Sequence, residues 1–348
     1  MTFNLDTMVQ RFLPTVSVVV VFVVAVACQP ARAQGYDHGA AGYAEQAETL
    51  RVALMSDSQE PLWPETLKLR KNRNEEARQM IFSDILRLAP AAVIHLGDMV
   101  SLGFRPASWA ATDTFVAELR RERVPYYPIL GNHEQIYYPG VGLENFTDRF
   151  PGIPTSGYTT RFGPLAIVLL NSNVGNLSAA EEEKQLTWYE RRLAELDTDS
   201  TVGMIVVGCH HSPYTNSTVV TPSQNVQRLF VPLFLRTKKA KLFVSGHSHA
   251  AEHFRIGGKD FIVIGGGGGL QQPLLTGDEV RWPDEFPVQA ETRMFHYLRC
   301  DITDRDVRFT YHMINDDLSA FREAATLRFP FDRQIVLRYD SGAAQPTH

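Results

Sequence analysis

Five apolar, strand-like runs in this chain each stop on a side chain that can bind a cation. Val52-Ala53-Leu54-Met55 leads to Asp57, Val93-Ile94-His95-Leu96 to Gly97-Asp98, and Pro128-Ile129-Leu130 to Gly131-Asn132-His133-Glu134. Ile205-Val206-Val207-Gly208 leads to His210-His211, and Leu242-Phe243-Val244 to Gly246-His247-Ser248-His249. In open α/β sheets the carboxyl ends of the strands border one crevice. A lone Asp in such a place is ordinarily a helix cap or a turn former. Five ends that all deliver Asp, Asn or His point instead to metal chemistry, ordered around Asp98.

Between these runs the spacing of apolar residues changes from strand-like to helical. Asn74 to Ala89 puts Ala77, Met80, Ile81, Ile85 and Leu88 on one face, and Trp109–Arg121 and Gln224–Arg236 are similar candidates. Ser178-Ala179-Ala180-Glu181 is a capping box, followed by the stripe Leu186, Tyr189, Leu193 and Leu196. This alternation predicts a mostly parallel sheet with helices outside it. From Phe261 the pattern turns to strands without helices: Phe261–Ile264, Tyr297–Cys300 and Val307–His312, with a hairpin turn at Thr303-Asp304-Arg305-Asp306. Gln334–Tyr339 reads as an edge strand. With 348 residues and 44% hydrophobic composition, one large α/β domain is the natural reading.

A net charge of −5 argues against general nucleic-acid binding, which favours a basic surface. It leaves a small phosphorylated substrate open. Near the start, the apolar run Val16–Ala27 lies between Arg11 and Ala31-Arg32-Ala33. Three readings follow: a secretory signal cut after Ala33, a lipoprotein signal that leaves Cys28 lipidated, or an uncleaved anchor, short for a bilayer span. All three place the rest of the chain outside the cytoplasm, periplasmic or extracellular, with membrane attachment through Cys28 in the second. The expected division is 1–33 signal, 34–48 linker, 49–315 catalytic domain and 316–348 C-terminal extension. Cys209 reads as a buried core thiol, with a Cys209–Cys300 bridge as the alternative.

The ordered motifs resemble those of the calcineurin-like metallophosphoesterases, whose pattern runs Asp-x-His, Gly-Asp, Gly-Asn-His-Asp/Glu, a lone His and Gly-His-x-His. The resemblance covers about residues 50 to 255 by motif and extends to about 313 through Gly265–Gly269 and the later strands. It implies a two-sheet sandwich with helices on both outer faces, in four layers α/β/β/α. It also implies two metal ions, divalent or trivalent (Fe, Mn or Zn), bridged by Asp98. One ion would take Asp57, the third position of the first motif (Gln59), Asp98 and His249; the other would take Asp98, Asn132, His211 and His247. His133 is then placed near the ester's leaving oxygen, as general acid or as positive charge, with Glu134 orienting it.

Several positions sharpen this picture. His247 and His249, two apart on an extended segment, face the same way and can serve one ion each. In the family the ligand His stands two residues before a Pro, which His211-Ser212-Pro213 satisfies; strand alternation then turns His210 to the opposite side, into packing. His95 reads as structural. Glu252 and His253 follow the last motif closely enough to reach a substrate. Gln59 replaces the usual His, so its site should be harder, favouring Mn, Fe or Mg over Zn. Gln185-x-x-Trp188 and Gly246–Glu252 resemble the purple acid phosphatase branch, yet Ser101 stands where that branch carries a metal-binding Tyr. A colourless relative is expected. Tyr137 and Tyr138 are available either to stack on a substrate or to pack within their loop. The implied activity is hydrolysis of phosphate monoesters by a metal-activated hydroxide. The alternatives are a phosphodiesterase on nucleotide or lipid-headgroup substrates, and a member of the family that binds a phosphorylated ligand without turnover.

Overall fold

The computed structural model describes residues 49–331. The segments 1–33 and 34–48, with Cys28, and the strand expected at Gln334–Tyr339 lie outside the described residues. The described chain opens with β1 (Leu50–Met55), α1 (Asn74–Leu88), β2 (Ala92–His95), α2 (Ala110–Arg121) and β3 (Tyr126–Pro128). A single turn, α3 (Asn132–Gln135), and α4 (Pro139–Arg149) lead to the hairpin β4 (Gly157–Phe162) and β5 (Leu165–Leu170). Then come α5 (Ala179–Thr198), β6 (Met204–Cys209), α6 (Gln224–Leu229), α7 (Val231–Arg236) and β7 (Ala240–Ser245). The rest is β: β8 (Ala251–Ile256), β9 (Lys259–Ile264), β10 (His296–Ile302), β11 (Asp306–Ile314) and β12 (Phe321–Pro330).

Two six-stranded sheets result, ordered β12-β11-β10-β1-β2-β3 and β4-β5-β6-β7-β9-β8. The strands joined through helices, β1–β3 and β5–β6–β7, run parallel, as does β9 beside β7. The hairpin-joined strands are antiparallel. This is the expected two-sheet α/β sandwich. Its layering follows from the period of two in each strand. In β5, Ile167 and Leu169 join the core shared with the first sheet, while Ala166, Val168 and Leu170 meet Tyr189, Leu193 and Leu196 of α5. β6 divides the same way: Val206 goes inward, Ile205 and Val207 toward the helices. Strands apolar on both faces must be covered twice, and each buried Val, Ile or Leu contributes about 1.5–3 kcal/mol.

Most boundaries agree with expectation, including the capping box, where Ser178 Oγ accepts from Glu181 N and Glu181 accepts from Ser178 N. Three differ. The helix expected over Gln224–Arg236 is broken at Phe230, because Pro232 has no N–H for the preceding turn. The segment taken as a C-terminal extension from 316 supplies β12, which completes the first sheet by pairing with β11. Its half-exposed alternation is that of an edge strand, a weak signal in sequence. Cys209 and Cys300 are free and buried, so the alternative bridge does not form.

Candidate metal centre

The site lies where the carboxyl ends of β1–β3 meet those of β5–β7. Asp57 and Asp98 are both fully buried. Their loops are tied by Asp57 N donating to Gly97 O and Gln59 N donating to Asp98 O, both at 3.1 Å. Asp57 accepts from His247 N at 2.9 Å, and Asp98 Oδ1 accepts from His133 N at 2.8 Å. Asp57, Asp98 and His247 all have left-handed backbone (φ 58°, 55° and 66°), a conformation non-glycine residues seldom hold. Gly131 is needed for closeness: a Cβ there would sit on the Asp98 carboxylate.

Glu134 fastens this corner. Its carboxylate accepts from the backbone N–H of Asp98 (2.9 Å), Met99 (2.7 Å) and Gly131 (2.6 Å). It therefore clamps two strand-end loops and does not orient the His133 ring as expected. That task falls to the Ser101 carbonyl, which accepts from His133 Nδ1 at 2.8 Å. A carbonyl cannot donate, so Nδ1 carries the hydrogen and Nε2 faces the site, 4.0 Å from Asp98 Oδ2.

The two adjacent histidines overturn one expectation. β6 ends at Cys209, so strand alternation no longer governs the next two residues. His210 turns inward, not away: Nδ1 donates to Leu96 O at 2.9 Å, and Nε2 lies 3.0 Å from Asn132 Oδ1 and 3.2 Å from Asp98 Oδ2. His211 is held by Ser172, whose Oγ accepts from His211 N at 3.0 Å and lies 2.9 Å from Nδ1. The ligand atoms of His210, His211 and His247 fall within 4.8 Å of one another, and so do those of Asp57, Asp98 and His249. Every candidate ligand is thus brought to one place, and His210 is added.

Gln59 belongs to the second of these groups. With its amide nitrogen toward the main-chain oxygens of Asp98 (3.0 Å) and Asp57 (3.2 Å), its oxygen lies 3.1 Å from His249 Nε2. His249 Nδ1 donates to Leu270 O at 2.7 Å, so its other nitrogen is the one turned toward Asp57, at 3.4 Å. Leu270 follows the glycine run, whose Gly267 and Gly269 N–H groups donate to Ser56 O and Asp57 O.

A sixth strand end escaped the sequence reading. Asn171-Ser172-Asn173 follows β5, and its Asn173 amide donates to Leu130 O (3.2 Å) and Gly131 O (3.1 Å) beside the Asn132 turn. The signal was the same one, an apolar run ending in polar residues. Glu252 and His253 do not reach the site. Glu252 is buried against Thr215, Asn216 and Ser248, and His253 pairs with Asp260 at 2.9 Å. His95 is structural, buried with Nε2 2.9 Å from Ser58 Oγ.

Electrostatics set the two buried carboxylates against the imidazoles beside them. Burial pushes Asp57 and Asp98 up, yet His249 beside the first and His210 beside the second hold both below the usual carboxylate range. Burial opposes charge on His210 too, but the Asp98 carboxylate raises it to about 9. Burial and the neighbouring His210 lower His211 to about 3, and burial with His211 takes His247 well below its ordinary value. No lysine or arginine pairs with either carboxylate among the described residues. Two buried carboxylates, imidazoles and amide oxygens form a donor set suited to divalent cations, and the residues present fit a metal centre.

The model of the calcineurin-like phosphoesterases matches residues 50–251, more than half of the chain and all of these ligands. The chain belongs to that family. No curated protein matches the phosphoesterase in sequence. Among solved structures it is similar to a purple acid phosphatase from yellow lupin (Lupinus luteus) seeds, at 17% identity and a TM-score of 0.59 over 82% of this chain and 54% of that one. The phosphoesterase spans about half the length of that lupin enzyme. The GAP50 anchor of the inner membrane complex of Plasmodium is similar over 82% of this chain and 90% of its own (13%, TM-score 0.59). So is a dimetal phosphatase from Danio rerio, over 81% and 99% (14%, TM-score 0.51). At these identities the likeness is one of fold.

Proposed function

We propose that this protein is an exported, binuclear metal-dependent phosphoesterase that hydrolyses phosphate monoesters. The carrying observation is the position of Asp98. Its carboxylate groups with Asp57 and His249 on one side and faces His210, beside Asn132, on the other. Asp57, Gln59, Asp98 and His249 would hold one ion; Asp98, Asn132, His247 and the His210-His211 pair would hold the second. Once bound, such a pair supplies an activated water and neutralises phosphoryl charge.

The chain itself does the rest. Glu134 fixes the spacing of Asp98 and Asn132. His133 keeps Nε2 toward the site because Ser101 O takes the hydrogen of Nδ1, so this nitrogen is placed to hold a proton for the leaving oxygen. Export rests on the apolar run Val16–Ala27 and the Ala31-Arg32-Ala33 site; no helix of the described residues is long and apolar enough to cross a membrane.

Metal analysis of the purified protein, paired with assays on p-nitrophenyl and bis-(p-nitrophenyl) phosphate, tests this reading. Two ions per chain and faster monoester turnover are expected. Full activity with a single ion would overturn the binuclear reading, and faster diester cleavage would replace the monoesterase with a phosphodiesterase. The mass of the mature N-terminus decides export: Gln34 is expected, a lipid-bearing Cys28 selects the lipoprotein form, and an intact Met1 on cytoplasmic protein excludes both.

A further inference from the structure

Among the described residues, the large apolar side chains left exposed are Trp63, Leu67, Tyr137, Tyr138, Val141 and Val219. Trp63 and Leu67 follow β1, the next three follow β3, and Val219 follows β6. All six therefore rise from connections that leave the metal-centre ends of strands. Single exposed apolar residues scattered over a surface are ordinary; exposed rings that cluster beside a functional site mark a contact region.

Its densest part is aromatic and adjoins His133. The Phe104 ring meets Tyr138 edge-on at 4.9 Å and Tyr137 at 6.4 Å between centroids. Tyr137 and Tyr138 remain 71% and 59% exposed, and neither hydroxyl bonds to another described residue. Phe104 directly follows Gly103, whose N–H donates to His133 O at 2.9 Å. The His133 ring is bound to the same loop through Ser101 O. Two hydrogen bonds thus lock the loop of Phe104 to the residue that faces the leaving oxygen, and Tyr137 stands four residues beyond it.

Resting on the monoesterase reading, we propose that Tyr137 and Tyr138, backed by Phe104, form a leaving-group subsite. The substrate is then a phosphate monoester whose alcohol carries an aromatic or other apolar body. Such a body stacks on rings that would otherwise stand in water, while the phosphoryl group meets the metal centre.

The test compares 2-phenylethyl phosphate with ethyl phosphate, whose alcohols leave with similar ease, on the metal-loaded full chain. The wild type is expected to favour the phenylethyl ester in kcat/KM by at least about tenfold. In the Tyr137→Ala/Tyr138→Ala double variant this preference should shrink to within about twofold with ethyl phosphate turnover unchanged, and Tyr137→Phe/Tyr138→Phe should restore it. A wild type without preference, or a preference that survives the alanine variant, overturns the subsite. Calorimetric binding of phenylphosphonate against methylphosphonate gives the same comparison without turnover. If neither ester is hydrolysed, the monoesterase reading fails, and the phosphonate pair alone decides whether the tyrosines select an apolar body.

Discussion

Asp57, Asp98 and His247 stand on left-handed backbone at a cost of about 1–3 kcal/mol each. Packing that holds three such residues in contact keeps carboxylate and imidazole aimed at one point. His133, on a single helical turn, is different: its ring has one hydrogen bond, to Ser101 O, and its free nitrogen looks into the site. In His133→Ala, metal content should stay at the wild-type level. Turnover should fall by about 10²–10³-fold for an alkyl phosphate and less for p-nitrophenyl phosphate, which leaves with little help from an acid. Equal losses on both esters would remove the acid role. Gln59 lies 3.1 Å from His249 Nε2 through its oxygen. Gln59→His should raise the Zn-to-Mn ratio taken up from an equimolar mixture, since imidazole replaces a harder donor; an unchanged ratio by mass spectrometry would show that position 59 touches no ion.

At the scale of elements, the ends of β6 and β7 are joined below the site by Glu252. Its carboxyl group meets Thr215 Oγ1 at 2.6 Å, Asn216 N at 2.7 Å and Ser248 Oγ at 3.3 Å, which holds the His247–His249 turn to the loop after β6. Burial raises this acid to about 7, against the partial opposition of those hydrogen bonds. A folded-state pKa above the unfolded one means the native protein binds more protons between roughly pH 4.5 and 7. Stability is then lost as pH rises through that window, by on the order of 2–3 kcal/mol from this group. Glu252→Gln keeps an acceptor and should flatten that part of the dependence, measured by denaturant unfolding of metal-loaded protein at pH 5 and pH 7. An identical difference in wild type and variant would mean that Glu252 does not titrate there.

For the whole molecule, the centre lies between two sheets and is built from both. Ions that bind only the native arrangement should stabilise it, by about 2.7 kcal/mol at a hundredfold excess over the dissociation constant. Chelation should therefore lower Tm by about 5–10 °C, with recovery on adding Mn, followed by scanning calorimetry. Removal of metal without a shift would place the ligands outside the cooperative unit.

Local chemistry was enough to read the β-α alternation, the capping box at Ser178 and five of the strand ends with their ligands, because apolar period and polar termination are written in adjacent residues. His210 was misread because its direction depends on where β6 stops, one residue earlier, and a strand's last residue is set by pairing with β5 and β7. The task of Glu134 was hidden for a similar reason: two of the three N–H groups it accepts from belong to Asp98 and Met99, on another strand end. β12 was hidden by the weak alternation of an edge strand, and the Asn171–Asn173 turn owes its place to Leu130 and Gly131, distant in the chain. The residues supplied the donors and the order of the elements; only the approach of two sheets decided which donors meet, since a ligand set drawn from five connections exists nowhere until the core between the sheets is packed.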